Sequence, residues 1–270
     1  MKYPIATALA LVGLLASARA DYTTEPQDVA FTARQDGSTQ RYVVLLPESF
    51  DPAGPNDVLV ALHGHGSDRW QFVRQPRGEC RAVRDVGAAR GMILVSPDYR
   101  APTSWMGPQA ESDLVQILEE LKSRYRIDRI FLCGGSMGGT ASLTFAALHP
   151  DLIAGVASMN GTANHLEYEN FQDAIRASFG GTKAEIPAEY KRRSAEYWPE
   201  RFTMPLGVTT GGRDQSVPAS SVLRLAEVLK KIGRKVLVIH REEAGHTTSY
   251  EDARAILEYV IREADPQSGS

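Results

Sequence analysis

Arg129-Ile130-Phe131-Leu132-Cys133-Gly134-Gly135-Ser136-Met137-Gly138-Gly139-Thr140 reads as a strand, a tight turn and the start of a helix. Ile130 to Cys133 is apolar without a break, as in a strand covered on both faces of a sheet. Thr140 to Leu148 is predicted helical. Between them Ser136 has glycine two residues before it and two after it. A hydroxyl at the apex of such a turn is presented by a strained backbone, and only small neighbours let the turn close. The helix start adds free N–H groups and a positive dipole end for developing negative charge. The competing reading is a glycine-rich connection that binds an anion. A nucleotide-binding P-loop is excluded, because no Lys-Ser/Thr closes the motif.

Outward from this turn, apolar runs recur. Val58 to Leu62, Met92 to Val95, Ile153 to Ala157, Leu206 to Thr209 and Val236 to Ile239 share the character of Arg129 to Cys133. Helical patterns fill the gaps. Leu114, Val115, Ile117, Leu118, Leu121 and Tyr125 fall on one face, as do Val222, Leu225, Ala226, Leu229 and Ile232 before Gly233. Ala255, Ile256, Tyr259 and Val260 outline a last helix. Phe31 to Arg34 and Tyr42 to Leu46 predict an opening hairpin with Asp36-Gly37 in its turn. Strands alternating with helices imply an α/β fold, a mostly parallel sheet with helices on both faces. Residues 160–204 interrupt the alternation as a short helical excursion over the sheet's edge, rich in Tyr, Phe and charge.

A lone serine is a poor nucleophile and needs a base oriented by an acid. In this topology the acid and then the histidine follow, each in a loop after a later strand. Asp214 follows the Leu206–Thr209 run, and His246 follows Val236–Ile239 and precedes the last helix. His240 ends its own strand and reads as a core or rim residue, His149 before Pro150 as a helix-end residue, and His165 as a surface residue. Glu242 and Glu243 read as solvated charge, and Asp98, after an earlier strand, is the alternative acid.

Leu62-His63-Gly64-His65-Gly66 ends the first long apolar strand. A tetrahedral intermediate needs two N–H donors aimed at its oxyanion. The expected donors are the backbone groups of Met137, directly after the nucleophile, and of His65 in this loop. The same letters carry a rival reading, a metal-dependent hydrolase with His63, His65 and Asp68 as ligands, but no His-Glu-x-x-His or second His/Asp cluster accompanies them. Trp105, Met106 and Trp198 are candidate hydrophobic walls of the substrate pocket, with ordinary packing as their other reading.

Of the 270 residues, the first twenty read as a secretory signal peptide: Lys2, the apolar Ile5 to Leu15, and Ala18-Arg19-Ala20 as the cleavage site. The apolar run is too short to span a bilayer. Residues 21–270 are expected to form a single catalytic domain, secreted or periplasmic and free of the membrane after cleavage. Without Lys2 and Arg19 the 30 basic residues become 28, against 33 acidic ones. That mild acidity argues against nucleic acid or anionic lipid as partner. Cys80 and Cys133 are too few for a disulfide scaffold, and Cys133 in its apolar run reads as a small buried hydrophobe. Asn160-Gly161-Thr162 fits a glycosylation sequon.

With these segments in place, the chain resembles the α/β-hydrolase superfamily. It is most similar to esterases related to the catalytic domain of prolyl oligopeptidase and to acetyl-xylan and feruloyl esterases. The resemblance runs from Tyr42 to about Ile261 and is carried by Leu62 to Gly66, Gly134 to Gly139, Gly211 to Pro218, Gly245-His246 and Ser96-Pro97-Asp98-Tyr99-Arg100. It implies a serine carboxylic-ester hydrolase with no cofactor, acting on a small-molecule or polysaccharide-linked acetyl or feruloyl ester. An aminopeptidase-like or acyl-transferring enzyme on the same triad is the alternative. Prolyl oligopeptidases carry an N-terminal propeller, for which there is no room before Tyr42, and the 160–204 excursion matches no family pattern.

Overall fold

The computed structural model describes Tyr22 and residues 25–265. The signal-peptide segment and nearly all of the polar tail lie outside the described residues. In chain order the elements are β1 (Gln27–Thr32), β2 (Thr39–Leu45), β3 (Asn56–Leu62), α1 (Gln71–Arg74), α2 (Gly78–Ala89) and β4 (Ile93–Pro97). Then come α3 (Pro108–Arg124), β5 (Ile127–Gly135), α4 (Met137–Leu148), β6 (Gly155–Met159), α5 (Gln172–Phe179) and α6 (Pro187–Arg192). The chain closes with β7 (Leu206–Gly211), α7 (Ser220–Lys231), β8 (Val236–Arg241) and α8 (Tyr250–Glu263).

The eight strands form one sheet in the order β1-β2-β4-β3-β5-β6-β7-β8. β1 and β2 form the antiparallel hairpin, β2 runs antiparallel to β4, and every other pair is parallel. Side chains alternate across a strand, and the central strands feed two separate cores accordingly. Val58, Val60, Leu62, Ile130 and Leu132 face the layer built from α3, α4 and α7. Leu59, Ala61, Phe131 and Cys133 face α2 and α8. This is the α/β-hydrolase architecture. α4 is apolar almost all round because it is covered all round, with Met137 to Ala147 buried.

Three features depart from the sequence reading. β8 is an edge strand, so Val236 to Ile239 are half-exposed rather than covered on both faces. α2, a helix that the sequence reading did not place, packs Cys80, Ala82, Val83 and Val86 into the layer it shares with α8. The 160–204 excursion is helical as expected, yet it packs on the α3 layer: the fully buried Arg193 donates to Met106 O at 2.6 Å and pairs with Glu111 at 2.7 Å. Cys80 and Cys133 are unbridged and buried in the same layer, and burial raises both thiol pKa values, that of Cys80 to about 11.

The strand order places the site. From β3 the chain moves outward to β4 and then returns to β5 on the opposite side of β3. Loops leaving β3 and β5 therefore diverge, and a crevice opens at their C-terminal ends. The His63 loop and Ser136 face each other across it.

Candidate active site

Ser136 stands between β5 and α4 with φ 59° and ψ −121°, outside the regions open to an ordinary L-residue. Its N–H donates to Met159 O at 2.8 Å and its carbonyl accepts from Thr140 N at 3.0 Å, so both neighbouring elements hold the turn. A Cβ on Gly138 would lie 1.8 Å from Leu62 O, a backbone contact that no side-chain shift relieves. The turn is pressed against the end of β3, which is why the motif needs glycine there.

His246 comes from the loop between β8 and α8. Its Nε2 lies 2.8 Å from Ser136 Oγ and its Nδ1 lies 2.6 Å from Asp214 Oδ2. Asp214, in the loop after β7, is almost fully covered; its Oδ1 accepts the backbone N–H groups of Ser216 and Val217, both at 2.9 Å. The acid and histidine loops touch backbone to backbone. A Cβ on Gly211 would lie 2.3 Å from Gly245 O. The structure thus brings Ser136, His246 and Asp214 into one hydrogen-bonded line.

Asn160, at the end of β6, ties this line down. It is 5% exposed, with φ 50°. Its Nδ2 approaches Asp214 Oδ2 at 3.4 Å, and its Oδ1 accepts from Thr209 Oγ1 at 3.4 Å and from Thr248 Oγ1. The side chain that the sequon marked as a glycan acceptor is buried and hydrogen-bonded. Its position at a strand end beside the nucleophile strand was the available signal.

Met137 N begins α4, where no intrahelical acceptor reaches it, and the His65 loop lies across from it. Gly64 N–H is already spent on Gln71 Oε1 at 2.9 Å, which leaves His65 as the next backbone donor of that loop. The His65 ring is held from two sides. Trp105 Nε1 donates to its Nδ1 at 3.3 Å, and the Phe171 ring lies 4.5 Å away. Since an indole nitrogen only donates, the His65 proton sits on Nε2. Burial lowers the His65 pKa and keeps the ring neutral.

Three pocket candidates move. Trp105 and Met106 are fully buried, both at left-handed φ, so they back the site from beneath rather than face it. Trp198 is remote from the cleft: its Nε1 donates to Lys191 O at 3.1 Å and its ring lies under Arg201. The aromatic that does face outward is Phe171, 40% exposed and held at φ 54° against His65 and Trp105. Nothing in its local sequence marks it; only the tertiary contact does.

The competing residues are engaged elsewhere. Asp98 pairs with Arg69 at 2.9 Å, and Glu243 pairs with Arg213 at the surface. His240 bonds Thr210 Oγ1 at 2.8 Å, and His149 bonds Glu111 at 3.0 Å. His165, read as a surface residue, is fully buried between Trp105 and Phe179, and desolvation lowers its pKa to about 3. His63 is also buried, and its ring nitrogens lie 2.8 Å from Gly64 O and 3.0 Å from Asp98 O. His63 and His65 thus serve different partners, and among the described residues no three His, Cys, Asp or Glu side chains gather as a metal set.

A cleft of about 650 Å³ opens at Ser136, bordered by the His65 loop, the start of α2 and the His246 loop. Fold and site together define a serine hydrolase. The model of the prolyl oligopeptidase family matches residues 85–264, and the chain belongs to that family. Over 118 residues it is 41% identical to a probable proline iminopeptidase of Leptolyngbya boryana, a stretch covering 43% of this chain and 34% of that protein. Among solved structures it resembles the acylaminoacyl peptidase of Pyrococcus horikoshii, at 18% identity and TM-score 0.69, over 88% of this chain and 42% of the other. It also resembles the fluorophosphonate-binding serine hydrolase F of Staphylococcus aureus, at 17% identity and TM-score 0.69, over 87% and 98% respectively.

Proposed function

We propose that this serine hydrolase is an exported esterase that cleaves carboxylic esters through an acyl-enzyme, with sugar-linked acetyl or feruloyl esters as its substrates. The observation that carries the chemistry is the unbroken line from Ser136 Oγ through His246 to Asp214. His246 Nε2 takes the serine proton as Oγ attacks the ester carbonyl. The oxyanion is held by the N–H groups of His65 and Met137, which act on charge only as it develops. Asp214 fixes the imidazole with its proton on Nδ1 and stabilises the charged form. His246 then gives its proton to the leaving alcohol, and water repeats the cycle to free the acid and restore Ser136. The signal-like residues 1–20 support export.

The second reading, an aminopeptidase-like enzyme, is favoured by the family itself and by the iminopeptidase likeness. Hydrolysis of p-nitrophenyl esters from acetate to octanoate by wild type and Ser136→Ala, with an aminoacyl-p-nitroanilide alongside, separates them. Cleavage of short esters that vanishes in Ser136→Ala supports the proposal. Anilide cleavage alone moves the assignment to a peptidase, and an active Ser136→Ala removes Ser136 as nucleophile.

A further inference from the structure

We infer that the cleft beside His246 is a binding site for the alcohol half of the substrate, and that this alcohol is a polyhydroxylated one, a sugar. The inference rests on the esterase reading above and adds which residues hold the leaving group. The side follows from the chemistry. The base that takes the serine proton must return it to the leaving oxygen, so the leaving group lies on the histidine's side of Ser136. The cleft extends from Ser136 and the His65 loop to that side, where His246, Thr247 and Thr248 line it together with Gln75, Arg77 and Glu79. Phe171, the exposed aromatic, is not part of this lining and is left to the acyl half.

The lining decides the class of ligand. Met159 is its one apolar side chain; every other residue there is a glycine or carries a hydrogen-bonding group. Such a wall offers nothing to an alkyl or aryl alcohol or to an apolar peptide side chain. Arg77 and Glu79 are paired at 3.2 Å, so the cleft presents a neutral couple rather than a bare charge, and an anionic ligand is not what it favours. The couple puts a donor and an acceptor side by side, as the Gln75 amide does, and adjacent sugar hydroxyls each donate and accept.

The site is also built in advance. Gly78, between the paired residues, has no room for a Cβ, which would lie 2.9 Å from Tyr250 N. The start of α2 is thereby seated on the start of α8, directly after the histidine loop. Tyr250 reinforces the seat, donating to Asp85 at 2.9 Å beneath the Arg81 guanidinium. Glu79 is mostly covered while Arg77 is half-exposed, as expected of a fixed acceptor with a donor free to close over a ligand.

The experiment compares kcat/KM on a mono-O-acetylated methyl xylopyranoside with that on cyclohexyl acetate, an ester of a ring alcohol without further hydroxyls. It is run on wild type, Glu79→Gln and Arg77→Met. Wild type should favour the sugar ester by roughly ten- to hundredfold, the worth of one or two charge-assisted hydrogen bonds, and both variants should bring the ratio near one. The ratio cancels the fraction of active enzyme, so partial misfolding does not blur it. A wild-type ratio near one, or variants that keep the wild-type ratio, overturns the inference and leaves standing ester cleavage through Ser136 without a preference for a sugar alcohol held by this cleft. Wild type silent on both esters yet active on a peptide anilide overturns both.

Discussion

Asp214→Asn tests the site most sharply, because the structure dictates which way the new amide must face. Asp214 Oδ1 receives two backbone N–H groups at 2.9 Å. The amide oxygen has to take that place, since an NH2 there would meet two donors. The NH2 is then left opposite His246 Nδ1, where the carboxylate oxygen now stands at 2.6 Å. An amide nitrogen only donates, so Nδ1 must become the acceptor and the imidazole proton moves to Nε2. Nε2, 2.8 Å from Ser136 Oγ, would then donate to the serine instead of removing its proton. The expected loss in kcat is about 10³–10⁴, equivalent to about 4–5.5 kcal/mol of barrier. KM on p-nitrophenyl acetate should change little, since residue 214 lies behind His246 and outside the lining of the cleft. Steady-state kinetics at pH 7, with thermal unfolding to establish that the variant is folded, make the measurement. A folded Asp214→Asn enzyme that retains a tenth or more of wild-type kcat would refute the orientation argument.

Gln71→Leu leaves the buried Gly64 N–H without its acceptor and releases the loop that presents His65 N–H; kcat on p-nitrophenyl acetate should fall about tenfold, as for a misplaced oxyanion donor. Full kcat with only a lowered melting temperature would show that the loop holds itself. Glu111 is buried, which alone would raise its pKa, but hydrogen bonds from His149, Arg192 and Arg193 win and hold it at about 2 against an ordinary 4.5. A depressed carboxylate contributes stability above its unfolded pKa and loses it as pH falls through the folded one. Glu111→Gln should therefore cost on the order of 2–3 kcal/mol in urea unfolding at pH 7, with the gap from wild type closing between about pH 4.5 and pH 2. A gap independent of pH over that window would mean that the lost charge is not its cause.

The parts of this molecule that repeat a local rule were legible from its letters. Val58 to Leu62 and Ile130 to Cys133 are buried on both faces, and an unbroken apolar run states that directly. The turn at Ser136 needs glycine for a reason confined to neighbouring residues and one facing strand. Asp214 and His246 follow from the strand order, since each loop must return to the sheet's C-terminal edge. Where burial depends on what a distant segment does, the letters misled. Val236 to Ile239 look like a central strand but lie at the edge. His165 looks like a polar loop residue, yet Trp105 and Phe179 enclose it.

The substrate side of the site belongs to this second, long-range kind. Trp105 was a candidate wall of the pocket, with ordinary packing as its other reading. Here it lies beneath Phe171 and Tyr168 from the excursion, with ring centroids 5.5 Å away in each case. The excursion in turn is anchored by Arg193, whose guanidinium binds Met106 O and Glu111 at the start of α3. Arg193 thus fixes the excursion to the loop that carries Trp105, Trp105 fixes the tautomer of His65, and Phe171 closes over both. The triad residues come from the loops after β5, β7 and β8 and are braced by Asn160, Gly138 and Gly211. The excursion also holds the acid loop, where Tyr168 Oη donates to Ser216 O at 2.7 Å and Asn170 Nδ2 to Gln215 O at 2.9 Å. Changing Phe171 would therefore alter the wall beside Ser136, whereas changing Tyr168 or Asn170 would also loosen the loop that carries Asp214. The reaction class was readable because each triad residue stands in a short motif at a strand end, and the shape of the pocket was not because it depends on contacts between distant segments.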